Sequence, residues 1–242
     1  MQHTSPGTQP KAGRYLVLLS QDDFDGAVQQ LGNLAQVQIH RAPASGVATL
    51  GDSCAVVYDR IGAAYVHCSD QARLRLIQAA AGGSAILAVE PERTVYAIGT
   101  GAAPPAKHKR ASPKPDDTGD TWGVGAVGAD TSTQTGQGIR IAVLDTGLDL
   151  SHPDFAGRSI ETKSFVAGQP VQDGNGHGTH CAGIAAGPAK PARQVRYGVA
   201  GEAELYVGKV LGDEGSGGDG GILEGIDWAI RPTALRSWRW PP

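Results

Sequence analysis

Residues 141–147 read Ile-Ala-Val-Leu-Asp-Thr-Gly, and the rest of the 242-residue chain is organised around this stretch. Its apolar run is typical of a buried strand. Asp145 follows this run directly, and its carboxylate lies at a tight turn formed with Gly147. Because the carboxyl ends of parallel strands are where α/β folds gather their functional side chains, we expect an α/β domain with Asp145 in its site.

A second stretch supplies an imidazole. Residues 173–183 read Asp-Gly-Asn-Gly-His-Gly-Thr-His-Cys-Ala-Gly. Gly174 and Gly176 permit unusual backbone angles before a helix that we predict over residues 178–186. His177 directly precedes the first residue of this helix. The glycines and alanines of this helix suit close packing against a sheet.

In this order and at this spacing, the two stretches resemble the Asp and His motifs of the subtilisin-like serine proteases. The resemblance implies a doubly wound parallel sheet and proteolysis by an Asp-His-Ser triad. In such a triad Asp145 orients His177, which acts as general base and then as general acid. Cys181, next to His180, resembles the proteinase K branch of the family, where this thiol is not the nucleophile.

Other interpretations of these residues stay open on the sequence alone. Asp145 with the following Thr-Gly also suits an Asx-type turn, or the Asp-Thr-Gly triplet of an aspartic protease, which would need a second triplet or a homodimer. His177 and His180 have the spacing of two metal ligands on one helix face. No third ligand is obvious nearby, so we predict no metal.

The resemblance continues downstream. Residues 205–211 read Leu-Tyr-Val-Gly-Lys-Val-Leu and predict the next parallel strand, and residues 220–230 predict a helix. Gly215, Ser216 and Gly217 align with the family's edge segment, to which an extended substrate adds as a further strand. A plain glycine-rich loop is the alternative. In relatives the propeptide packs against the helix that residues 220–230 match.

Before this region the pattern predicts a separate small domain over residues 14–100, with the order strand, helix, strands, helix, strand. It resembles the ferredoxin-like α+β propeptide of subtilisin-like proteases; an unrelated α/β domain is the alternative. We predict a flexible tail over 1–13 and a Pro-rich linker over 101–121. The N-terminal part of the peptidase domain is predicted over 122–230, with an incomplete sheet, and an aberrant tail over 231–242.

The serine that the resemblance implies has no counterpart in this sequence, which contains no Gly-Thr-Ser motif. Residues 231–242 are rich in Arg, Trp and Pro where the family has a buried strand, and a shifted reading frame is one hypothesis for them. We therefore expect this chain to be inactive as it stands. An alternative function is that the propeptide-like domain binds and inhibits a related protease.

Composition limits the partners. A net charge of -3 and a pI near 6.1 give no electrostatic reason to expect nucleic acid, and no segment reaches membrane-spanning length. The expected partners are a polypeptide substrate or the chain's own propeptide. No cofactor is predicted, although Asp154 aligns with a calcium ligand of many family members. The three cysteines predict free or buried thiols. The compartment is left unassigned, since no signal peptide is visible and the family is commonly secreted.

Overall fold

A computed structural model describes residues 13–42, 53–98, 120–192 and 195–231. It divides into two compact units, one within Met1–Val95 and Gly218–Pro242 and the other within Tyr96–Gly217. The predicted tail, most of the linker and nearly all of residues 231–242 lie outside the described residues.

The N-terminal stretch of the first unit contains two helices and the five strands of one sheet. They are β1 (Arg14–Leu19), α1 (Phe24–Ala35), β2 (Gln38–Arg41), β3 (Cys54–Tyr58), β4 (Ala63–His67), α2 (Asp70–Ala81) and β5 (Ile86–Pro91). The sheet order is β2-β3-β4-β1-β5, in which only the β2–β3 pair is parallel. β3 and β4 form a hairpin.

Helices α1 and α2 cover one face of the sheet. Their apolar residues recur at helical spacing, and Ala27, Leu31 and Leu76 are buried in a core with Val17 and Val57. Ser69 caps α2 because its hydroxyl accepts the Ala72 N–H at 3.2 Å. The two helices of the predicted order are therefore present.

The last helix, α5 (Asp219–Ala229), belongs to the first unit. Its Leu223 packs on the other face of the sheet against Val56, Tyr58 and Tyr65. The sequence pattern predicted this helix but grouped it with the peptidase region. Its packing partners are distant in sequence, which is why local periodicity did not reveal them.

The second unit is built on a three-stranded parallel sheet of order β7-β9-β8. Its elements are α3 (Trp122–Ala126), β7 (Arg140–Asp145), a 3₁₀ turn (Pro153–Phe155), β8 (Ile160–Ser164), α4 (His177–Ala186) and β9 (Glu204–Lys209). Two short strands, β6 (Thr94–Tyr96) and β10 (Ser216–Gly218), lie where the chain passes between units.

The parallel order places the carboxyl ends of β7, β8 and β9 at one edge of the sheet, as the apolar runs predicted for β7 and β9. A small core of Leu148, Phe155, Leu205 and Val207 packs with Ala182 of α4. The sequence did not predict β8. Its stretch Ile-Glu-Thr-Lys-Ser is mostly polar, and its backbone becomes a strand by pairing with β9.

Two further predictions concern the whole of the described chain. Cys54, Cys68 and Cys181 are free thiols, as the sequence predicted, and the first two are buried. None of the helices in the described ranges is both long and apolar enough to cross a bilayer.

Candidate active site

Asp145 ends strand β7 with only 7% of its surface exposed. Its Oδ1 accepts the N–H of Thr146 at 2.7 Å. Its backbone carbonyl accepts the N–H groups of Val210 and Leu211 at 2.9 and 3.1 Å. A buried carboxylate is costly unless donors surround it, so these bonds hold the group in one orientation.

His177 begins helix α4 and faces this carboxylate. Its Nδ1 lies 2.8 Å from Oδ1 and 2.9 Å from Oδ2 of Asp145. Because an ionised carboxylate can only accept, Nδ1 carries the proton and Nε2 keeps its lone pair. The two residues, 32 positions apart in the sequence, are thus in hydrogen-bond contact.

Asp173 holds the helix that begins with His177, a role that the sequence analysis did not assign. Its Oδ1 accepts the N–H groups of Asn175 and Gly176, and its Oδ2 accepts the N–H and hydroxyl of Thr179. Thr146 also donates its hydroxyl to Oδ1 at 2.9 Å. Burial raises the pKa of Asp173, but these hydrogen bonds outweigh it and lower the pKa to about 2.

The segments that carry Asp145 and His177 approach each other at two glycines. A Cβ at Gly178 would lie 2.3 Å from the carbonyl oxygen of Gly147, closer than real contacts allow. The Gly178 N–H donates to the Thr146 hydroxyl at 2.8 Å. Gly147 has a φ of +111°, which disfavours any side chain. These glycines let β7 and α4 meet closely enough for Asp145 to reach His177.

A buried lysine lies beside the pair. Lys209 is 0% exposed at the end of β9. Its Nζ donates to the carbonyl of Thr146 at 2.5 Å and to Oδ1 of Asp213 at 2.6 Å, with a longer bond of 3.4 Å to the carbonyl of Gln172. Asp213 in turn accepts the Gly174 N–H at 3.1 Å. The residues around Lys209 in the sequence are apolar and give no indication that its ammonium bonds to Thr146, Gln172 and Asp213.

Cys181 is the third polar group at the pair. Its Sγ lies 3.7 Å from Nδ1 of His177, one helical turn away. Burial, followed by the charge of Asp145, raises the thiol pKa, so Cys181 is protonated at neutral pH. Asp145, His177 and Cys181 offer donor atoms within 4.8 Å of one another, a spacing that a metal site shares with a hydrogen-bonded acid–base pair. The absence of a metal stays a prediction.

Gly215–Gly217 follows β9 in the same unit. The segment turns tightly, with the Gly212 N–H donating to the carbonyl of Ser216 at 2.8 Å. A Cβ at Gly217 would lie 2.3 Å from the Val210 carbonyl, so only glycine fits there. The N–H of Ala97 donates to the Gly215 carbonyl at 2.8 Å, which places an extended stretch of backbone along this edge.

Fold and site together define a class: an α/β protein in which a buried Asp at the carboxyl end of a parallel strand pairs with a half-buried His at the start of a helix. Comparisons with known proteins narrow the class. A sequence model described as the Subtilase family matches residues 136–236. The Cuticle-degrading protease of Metarhizium anisopliae is 39% identical over 129 residues, which are 50% of this chain and 31% of that protein.

Two further relatives give similar figures. Subtilisin-like protease 3 of Trichophyton equinum is 40% identical over 125 residues, 48% of this chain and 30% of that protein. Subtilisin-like protease 6 of Arthroderma benhamiae is 38% identical over 126 residues, 49% of this chain and 29% of that protein. The chain spans about a third of the length of the curated relatives it matches. Over the matched residues, the chain is similar to the subtilisin-like serine protease family.

Calcium is the ion that this family implies at Asp154, and the residues here do not fit it. Oδ1 of Asp154 accepts the Ala192 N–H at 2.6 Å, and Oδ2 accepts the Tyr197 hydroxyl at 2.6 Å. Calcium needs oxygen ligands, whereas these partners present hydrogens to both carboxylate oxygens. Burial and the bond to Asp154 raise the Tyr197 pKa, so the hydroxyl stays a donor.

Proposed function

We propose that the Asp145–His177 pair is the carboxylate and general base of a serine endopeptidase. One observation carries the proposal: Nδ1 of His177 lies 2.8 and 2.9 Å from the two oxygens of buried Asp145. This geometry directs the Nε2 lone pair away from Asp145, toward where a nucleophile would stand. A general base for acyl transfer needs this tautomer.

The roles of the two residues follow from their protons. As a serine hydroxyl attacks the substrate carbonyl carbon, Nε2 of His177 takes its proton. Asp145 stabilises the imidazolium that forms and is not itself protonated. The imidazolium then gives the proton to the leaving amine, which breaks the peptide bond. The sequence contains no Gly-Thr-Ser motif to supply the nucleophile, so residues 1–242 alone are proposed to be inactive.

The proposed substrate is an extended polypeptide that pairs with residues 215–217. Support comes from the chain itself, because the Ala97 N–H already donates to the Gly215 carbonyl. Backbone pairing of this kind selects for extended chains more than for particular side chains. We propose that the chain's own segment around Tyr96 and Ala97 occupies this edge before a substrate does.

The proposal is tested first by activity and covalent labelling. Purified 1–242 should neither hydrolyse an unfolded peptide nor react with a serine-directed phosphonate. Turnover that the phosphonate blocks would mean that a serine within these residues serves as nucleophile. Sequencing the gene from the Trp228 codon through about a kilobase downstream should reveal a frame encoding Gly-Thr-Ser. A sequence without such a frame would leave His177 with no partner to activate.

A second function concerns the first unit, which we propose is a propeptide-like domain. Its strands β3, β4, β1 and β5, with α1 and α2 as crossovers, follow the ferredoxin-like order, and β2 is an addition beside β3. In the family a propeptide packs on the helix that α5 matches. Here Leu223 of α5 lies on the β3–β4 face with Tyr58 and Tyr65.

Charge pairs add to this apolar contact. The Arg93 N–H and Nε both donate to Oδ2 of Asp219, at 2.9 and 3.3 Å. Arg60, in the β3–β4 turn, lies 3.6 Å from Asp227, which is 1% exposed and also bonded to Arg231. Such pairs favour one partner over another more than they add affinity. The domain is thus suited to bind the equivalent helix of a related protease and inhibit it.

Inhibition of a subtilisin-type protease by the full 1–242 chain tests this second function. Because α5 already covers the surface, Gly220→Ala should strengthen inhibition by loosening α5, whose Gly220 is pressed against Tyr65. Arg60→Met should weaken it. Arg41→Met, which removes ion pairs with Asp25 and Asp59 instead, is the matched control. Equal inhibition by all variants, or none by any, would remove this function.

A further inference from the structure

We propose that Lys209 is a positioning residue that holds Asp145 and His177 in register, with Asp213 as its counter-ion. The inference rests on the proposed function, because it assigns how that site keeps its geometry. Lys209 lies at the end of β9, beside the end of β7, since the parallel register pairs it with Asp145. Its side chain is 0% exposed although it carries a charge.

The first hydrogen bond of the Lys209 side chain goes to the segment that contains Asp145. Nζ donates to the carbonyl of Thr146 at 2.5 Å, one residue beyond the catalytic carboxylate. Thr146 is itself 0% exposed, and its hydroxyl joins Gly178 and Asp173. A shift of the Thr146 peptide would therefore move Asp145 and loosen the first turn of α4 together.

The second hydrogen bond of the Lys209 side chain goes to the loop before His177. Nζ donates to the carbonyl of Gln172 at 3.4 Å, next to Asp173, which caps α4. Asp213, 2.6 Å from Nζ, accepts the Gly174 N–H through its carboxylate and the Asn175 side-chain amide through its backbone carbonyl. The pair of Lys209 and Asp213 thus contacts four positions that flank the catalytic residues.

A third connection runs to the substrate edge. Asp213 stands in the turn between β9 and Gly215–Gly217, and its own N–H donates to the Gln169 side chain at 3.0 Å. The Lys209 side chain lowers the pKa of Asp213 through their hydrogen bond, so the Asp213 carboxylate is ionised at neutral pH. One buried group thereby joins the carboxylate segment, the histidine loop and the turn to the substrate edge.

Stability alone does not account for a lysine here. Burying an ammonium costs free energy that its partners offset at best, and apolar side chains of similar volume often replace buried ion pairs without loss of stability. What an apolar side chain cannot do is donate to Thr146, Gln172 and Asp213 at once. Because catalytic geometry must hold within fractions of an ångström, this fixed set of acceptors is the advantage of the lysine.

The test uses chain 1–242 and reads the His177 ring directly by ¹⁵N NMR. The wild type should show one tautomer, with the proton on Nδ1. Lys209→Met should remain folded by near-UV circular dichroism, show mixed His177 tautomers and exchange the Nδ1 proton about tenfold faster, the change expected for losing about one hydrogen bond. Lys190→Met, the same substitution at an exposed lysine, should leave both readouts at their wild-type values.

A folded Lys209→Met with wild-type tautomer and exchange would overturn the inference and leave the proposed function intact. A wild type without a proton on Nδ1 would instead remove the observation behind the proposed function. If Lys209→Met does not fold, Asp213→Ala decides. It should speed exchange of the Gly174 amide about tenfold and also disturb the His177 ring signal, each through one lost hydrogen bond. An unchanged ring signal in that variant would overturn the inference.

Discussion

The five-stranded sheet and the three-stranded sheet of the described residues are held by different kinds of interaction. In the first unit the helix-covered face is apolar throughout, with Val17, Leu31 and Leu76 fully buried. In the second unit the apolar core is smaller, and Asp145 and Lys209 are buried at the strand ends. The first arrangement resists unfolding, whereas the second places charged groups at fixed distances.

The difference follows from what each unit must do with its polar atoms. Burial of an apolar side chain is favourable in many orientations, so the first unit tolerates approximate packing. A buried charge is tolerated only where its partners lie in reach, so the second unit permits few arrangements. The difference teaches that the apolar core of the first unit and the buried ion pairs at the strand ends of the second unit should respond differently to mutation.

The largest effect is expected in the apolar core. Leu31→Ala, at a side chain that is 0% exposed, should lower the free energy of unfolding of the first unit by about 3 kcal/mol, because it leaves a cavity. Urea unfolding followed by far-UV circular dichroism measures the loss. Leu74→Ala, on the exposed side of α2, is the matched control and should cost well under about 1 kcal/mol. Equal losses would contradict the core described here.

Over-packing at α5 should come next. A Cβ at Gly220 would lie 2.7 Å from the Tyr65 ring, so Gly220→Ala should cost about 2 kcal/mol by forcing the helix or the ring to move. Gly123→Ala, in helix α3 with no atom within 4 Å of the added carbon, should instead be neutral or slightly stabilising. Thermal unfolding of both variants compares them. A Gly220→Ala variant as stable as wild type would mean that α5 does not rest on Tyr65.

A smaller effect is expected for the hydrogen bonds that hold the Asp154 carboxylate in the second unit. Tyr197→Phe should lower its free energy of unfolding by about 1 kcal/mol, because one hydrogen bond to a partly exposed carboxylate is lost. Millimolar calcium should leave the melting temperature of the wild type unchanged. A calcium-dependent rise of several degrees in the wild type would show that the ion, and not Tyr197, holds this carboxylate.

The smallest effect is an acid dependence. The pKa of Asp173 is about 2 in the folded protein against 3.8 for the free side chain, so the deprotonated form favours folding. Its contribution, about 1 kcal/mol after allowing for solvent screening, is present above about pH 4 and is lost as the pH falls toward 2.

Unfolding titrations of the second unit across this interval give the measurement. Asp173→Asn should flatten the profile, since the amide does not titrate. Asp149→Asn is the control, because that carboxylate also has a lowered pKa but is bonded to the side chains of Ser151 and Gln172 and not to α4. A steeper loss of stability on acidification in Asp173→Asn than in wild type would mean that ionised Asp173 does not favour folding.

Several features followed from the sequence by itself because they depend on near neighbours. The apolar run before Asp145 predicted β7, and the glycines around His177 predicted the helix that begins there. The pairing of Asp145 with His177 was predicted from their motifs, and the structure places the two side chains in hydrogen-bond contact. Such motifs carry this information because their chemistry demands particular residue types at particular places.

Only the tertiary structure decided the rest. Lys209 lies in a run that reads as apolar, and nothing nearby indicates that Thr146, Gln172 and Asp213 surround its ammonium. The polar residues of β8 gave no strand pattern, and α5 gave no sign that its partners lie in the first unit. In each case the partners lie elsewhere in the fold, and local sequence does not encode which distant groups will meet. Hydrogen bonds and close packing select those partners only once the whole unit has folded.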